Sequence, residues 1–151
     1  CFSRQNLPFV ARDAATQANI ARGGYVIAEA QGAAQAVLIA TGSEVELALK
    51  AQAALAKQGI AVRVVSMPCT SAFDRQSATY KESVLPRSVR ARIAIEAAAA
   101  DYWRKYVGLD GAVVGMERFG ASAPAKVLFE RLGFTVAHVL ELAEELLQQG
   151  K

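Results

Sequence analysis

From Tyr25 onward, short runs rich in Val, Ile and Ala (YVIAEA, AVLIAT, AVRVVS, RARIAIE and AVVG) alternate with longer stretches of helical period. No other feature restricts the fold as much. Each run has strand length and strand composition, so five strands are expected. Between the second and third, SEVELALKAQAALAKQG places Val45, Leu49, Ala53 and Leu55 at roughly helical spacing. Ser43 and Glu46 have capping-box spacing there, and Gly59 ends the stretch. Further helices are expected over residues 72–84, 101–107, 124–132 and 136–149. Thr135 serves as the cap of the last, with Leu140, Ala143, Leu146 and Leu147 on its buried face.

Connector length then orients the strands. A parallel crossover needs about a dozen residues or more, and only Gln31 to Gln35 separate the first two runs, so strand one is expected to run antiparallel to strand two. The remaining connections are long enough for parallel crossovers. The expected architecture is an α/β fold, a three-layer α/β/α domain on a five-stranded mixed sheet with strand one antiparallel. Residues 1–24 hold Pro8, scattered polar residues and Gly23-Gly24 without a sustained apolar period, and read as a tail or linker ahead of a domain at 25–151.

At 151 residues, with 53% hydrophobic and 21% charged, the chain has the composition of a globular domain able to build its own core. The net charge of +3 comes from 17 Lys and Arg interspersed with 14 Asp and Glu, which leaves no footprint for nucleic acid. Arg87, Arg90 and Arg92, the densest cationic stretch, are expected at a solvated strand edge. No apolar run approaches the ~20 residues of a membrane span, and the opening CFSRQNLPFVAR lacks the apolar centre of a signal peptide. The absence of an initiating Met suggests a fragment. Two cysteines, Cys1 and Cys69, make no disulfide framework and fit a reducing, cytoplasmic setting. With a single histidine, His138, no metal-ligand set of zinc-site spacing can be assembled.

Catalytic patterns are sparse. Gly120-Ala121-Ser122-Ala123-Pro124 only approximates a nucleophile elbow, and His138 is expected to be structural, at a helix surface. Neither G-x-G-x-x-G nor a P-loop occurs. The turn Thr41-Gly42-Ser43-Glu44, between a strand and a helix, has amides that would suit an anion at Gly42 and Ser43, although capping is the simpler role and Glu44 would repel one. Glu29, Glu96 and Asp101 fall near strand ends, where two could meet as an acid/base pair; capping by Asp101 and pairing of Glu96 with an arginine are the expected structural roles. Tyr102, Trp103 and Tyr106, beside Arg104 and Lys105, are expected in the core or at an interface.

The segments SRQNLP, ANIARGGYV, IATGSEVELAL, VRVVSMP, AFD, KESVLP, ADYWRKYVG and FGASAPAKVLFERLGFT, in this order, resemble the carboxy-terminal part of transketolases over nearly the whole chain. The resemblance implies the sheet order 1-3-2-4-5. It further implies a homodimeric transferase dependent on thiamine diphosphate and on Mg2+ or Ca2+, which moves a two-carbon ketol unit between phosphorylated sugars. Other domains would hold cofactor and metal, so the catalytic and metal sites of this chain read as none and the isolated chain is expected to be inactive. Residues 1–8 match the end of the middle domain. Arg4 of SRQN matches the family's contact to the substrate phosphate, with Ser3, Gln5 and Asn6 in positioning roles. Cys69-Thr70-Ser71 departs from the bulkier residue frequent after Met67-Pro68. The rival expectation is a regulatory small-molecule or anion-binding module at the Thr41–Ser43 turn.

Overall fold

A computed structural model describes residues 6–149. In chain order it contains α1 (Ala14–Ile20), β1 (Tyr25–Ala28), β2 (Ala36–Ala40), α2 (Glu44–Lys57), β3 (Val62–Ser66), α3 (Thr70–Asp74), α4 (Ala78–Val84) and β4 (Ala91–Ala99). A 3-10 turn (Ala100–Trp103), α5 (Arg104–Val107), β5 (Ala112–Met116), α6 (Ala125–Arg131) and α7 (Val136–Gln149) complete it.

The five strands form one sheet in the order β1-β3-β2-β4-β5. β1 pairs antiparallel with β3, Tyr25 opposite Ser66, and every other pairing is parallel. Both the order implied by the resemblance and the antiparallel first strand are therefore observed. β2 lies centrally with all five residues buried, as the unbroken apolar run AVLIA requires of a strand covered on both faces.

Alternation along the strands sends side chains to two separate cores. Leu38, Val64, Ile93, Ile95 and Val114 pack on one face beneath α2 and α7, through Ala48, Leu55, Val139 and Ala143. Val37, Ile39, Val65 and Ala94 pack on the other against Phe73, Val84, Trp103 and Tyr106 of the shorter helices. Helices thus cover both faces, giving the three layers expected.

Several local expectations are corrected. α1 interrupts the stretch read as an irregular tail: Asp13 caps it by accepting the Thr16 N–H at 2.7 Å, and none of its residues is buried. A helix without a buried face has no apolar stripe to read. The helix expected over 72–84 is broken between α3 and α4, where Ser77 Oγ accepts the Tyr80 N–H at 3.2 Å. Ser77→Ala is expected to cost about 1 kcal/mol, read as a lower urea midpoint with an unchanged slope. β4 continues past Glu96 to Ala99, with an irregularity in its pairing to β5 between Ile95 and Ala99.

Arg92 departs furthest from expectation. Arg87 and Arg90 are exposed and pair with Glu82 and Asp110, but Arg92 is half-buried inside β4. Its guanidinium donates to the carbonyls of Val89 (2.9 Å), Tyr106 (3.0 Å), Leu85 (3.2 Å) and Pro86 (2.7 Å), tying the end of α4 and the end of α5 to the sheet. The five donors of a planar guanidinium suit such a cluster of acceptors. Burial lowers its pKa from the usual value.

Candidate functional site

Open parallel sheets offer their sites beyond the carboxyl ends of the strands, and here the ends of β2 and β4 lie side by side with Ala40 opposite Ile95. β2 leaves the sheet through Thr41-Gly42-Ser43. Gly42 takes φ +55°, and the Glu44 N–H donates to the Thr41 carbonyl at 3.2 Å, closing the turn at the start of α2. The capping box does not form. Ser43 has helical backbone angles (φ −67°, ψ −27°) rather than the extended angles of a cap, and its hydroxyl donates to Glu44 Oε1 at 2.7 Å. Glu46 instead pairs with Lys50 one turn along.

Glu44 is only 3% exposed. Across the strand ends its carboxyl meets that of Glu96, whose Oε2 is buried without a hydrogen-bond partner. Burial, then the charge and contact of Glu44, raise the Glu96 pKa to about 7. The expected arginine partner of Glu96 is thus replaced by a second carboxyl. Two buried carboxyls beside the turn disfavour an anion, so the geometry gives no support to a regulatory anion module here. The turn also borders an open cleft of about 590 Å3 beneath the amino-terminal segment, lined in part by Leu7, Phe9, Arg12, Gly42, Ser43 and Ser66.

The other candidates are not brought together. Glu29 receives a two-pronged contact from Arg63 (3.0 and 3.2 Å), which joins β3 to the chain just after β1. Asp101 does not cap: it lies within the 3-10 turn, whose cap residue is Ala99. Ser122 is exposed in the segment between β5 and α6, whereas His138 Nδ1 is engaged with the Gly133 carbonyl at 2.9 Å. Thr135 does cap α7, accepting the His138 N–H through Oγ1 at 3.2 Å.

Trp103 and Tyr106 are core residues, 4% exposed, while Tyr102 is 55% exposed and shares a 2.6 Å hydrogen bond with the Thr70 hydroxyl. The Tyr106 hydroxyl donates to Asp74, which also accepts from Lys105 at 2.6 Å, so this cluster fastens α3 to α5. The Lys105 contact holds the Asp74 carboxyl below the usual carboxylate range, and burial pushes the Tyr106 phenol up. Arg4, Ser3 and Gln5 lie outside the described residues; Asn6 is exposed.

Residues 23–135 match a family model described as the transketolase-like TK C-terminal domain. Transketolase 1 of Escherichia coli is 59% identical over 145 residues, which is 96% of this chain and 22% of that protein. A solved transketolase from Pichia stipitis superposes with a TM-score of 0.84 at 38% identity, over 98% of this chain and 21% of that one. One from Leishmania mexicana gives 0.80 at 42% identity, over 87% and 19%. The chain therefore spans about a fifth of the length of the relatives it matches. With the family model covering most of the chain and the fold superposing on these structures, the chain belongs to the transketolase family, to which it corresponds as the C-terminal domain.

Proposed function

We propose that this chain serves as the structural C-terminal domain of a cytoplasmic transketolase that transfers a two-carbon ketol unit from a ketose phosphate to an aldose phosphate. The observation that carries this reading is the match over residues 23–135, together with 59% identity to a named transketolase along almost the whole chain. The Pichia stipitis structure is a complex with sedoheptulose-7-phosphate, which supports phosphorylated sugars as the substrate class. On this reading residues 1–24 end the middle domain and link it to 25–151, and the domain braces a homodimer.

Thiamine diphosphate and its divalent cation do not fit the described residues of this chain. A bound diphosphate needs cations or a clustered ligand set. The strand-to-helix turn best shaped for phosphate instead presents Glu44 and Glu96. Cofactor and metal are accordingly assigned to the other domains of the full-length enzyme, and no catalytic step is assigned here. The test is a ketol-transfer assay with thiamine diphosphate, Mg2+ and a pentose-phosphate pair. Activity is expected of the full-length enzyme and not of this chain alone; turnover by this chain alone would overturn the assignment.

Arg4 is the one residue proposed to touch substrate. A guanidinium forms two parallel charge-assisted bonds to a phosphate, a geometry lysine lacks. Arg4→Ala in the full-length enzyme is expected to raise the KM for phosphorylated sugars about tenfold to a hundredfold, with little change for a non-phosphorylated ketol donor. An equal effect on both donors removes Arg4 from the phosphate site.

A further inference from the structure

Glu44 and Glu96 meet without a cation between them: no ion pair among the described residues involves either. Two ionised carboxylates offer only acceptors and repel, so a contact between them requires a proton. The surroundings of Glu44 favour negative charge. Glu44 accepts from the Ser43 hydroxyl and stands in the first turn of α2, where the helix dipole favours negative charge. Glu96 is the better holder of the proton, because its Oε2 is buried with no donor in reach, and a proton there converts an orphan acceptor into a donor.

We propose that Glu44 and Glu96 share one proton, forming a carboxylic acid–carboxylate bond that fastens the start of α2 to β4 and breaks when that proton is released. The pKa of Glu96, raised to about 7 by burial first and by Glu44 second, places the release near neutral pH. Charges on the other elements packed against β4 are committed elsewhere or far along their helices. β2 and β5 carry no ionisable side chain. Lys105 of α5 pairs with Asp74, and Arg104 donates to the Gly111 carbonyl. On α7, His138 is bonded to Gly133, while Glu141, Glu144 and Glu145 are exposed. Glu46 of α2 pairs with Lys50, Arg12 donates to the Tyr25 hydroxyl, and Asp101, Glu117 and Arg118 are exposed.

The sign follows from proton counts. The folded chain keeps this proton up to about pH 7, whereas an unfolded glutamate releases it near pH 4.3, so between these values the native state binds more protons and stability falls as pH rises. Above the folded value the loss is complete. The loosening is expected at the Thr41–Ser43 turn, which borders the cleft under the amino-terminal segment.

Urea unfolding of the 151-residue chain at about pH 5 and about pH 8 is expected to show the unfolding constant rising roughly tenfold, half-burial of Glu96 keeping it below the full linkage value of about eightyfold. Glu96→Gln presents a permanent donor to Glu44; this variant is expected to lose that component and to be the more stable chain at the higher pH. Parallel profiles for the two chains would overturn the proposal. Carbon-13 detection of the glutamate carboxyls in the native chain needs no variant: one carboxyl is expected to titrate near pH 7, and midpoints all below about pH 5 would also overturn it.

Discussion

Gly23→Ala is expected to cost about 4 kcal/mol or more and to abolish soluble yield where the chain is only marginally stable. Gly23 has φ +85°, and a Cβ there would lie 2.1 Å from the Cys69 carbonyl oxygen, 2.6 Å from the Phe73 nitrogen and 2.7 Å from Ala72 Cβ. Two of these neighbours are main-chain atoms, which cannot rotate away. The contact is also a hinge point of the fold, since the Cys69 N–H donates to the Gly23 carbonyl at 3.0 Å and holds the entry of β1 against the start of α3. Gly42→Ala is the control. It shares the left-handed backbone (φ +55°) but has nothing within 4 Å of the added methyl, so only the backbone term of about 1–2 kcal/mol applies. Soluble yield and urea midpoints of the two variants check this, and equal losses would show that crowding at Gly23 is not the cause.

Arg92→Leu is the second large effect, an expected loss of about 3–4 kcal/mol. Leucine keeps part of the apolar stem but strands the carbonyls of Leu85, Pro86, Val89 and Tyr106. Arg92→Lys is expected to recover only part of this, because an ammonium is a point charge and cannot span acceptors contributed by separate segments. Arg90→Ala, two residues earlier, removes an exposed pair with Asp110 and should fall within the roughly 0–1 kcal/mol typical of surface ion pairs. Comparable urea midpoints for the Arg90 and Arg92 variants would contradict the bridging role.

Arg87, Arg90 and Arg92 are indistinguishable as a pattern, and only the strand register places Arg92 where loops from two helices converge. Gly23-Gly24 reads as linker glycine until α3 is seen pressed against it. Glu96 next to four alanines gives no sign of its partner, because Glu44 belongs to a different strand-helix unit and meets it only through the adjacency of β2 and β4. The misread helical stretches have local causes. α1 buries no face, and the break before α4 is marked only by the Ser77 cap within an otherwise helical window.

The class of fold, the five strands, the reversed first strand, the two long helices and the family are legible in the sequence, because these follow from apolar period, connector length and ordered motifs along the chain. Only the tertiary structure decided that Arg92 is a half-buried bridge, that Gly23 admits no methyl, and that Glu44 and Glu96 face each other at the sheet edge. Those features depend on which segments become neighbours after the sheet closes, and burial then sets the protonation and packing that composition leaves open.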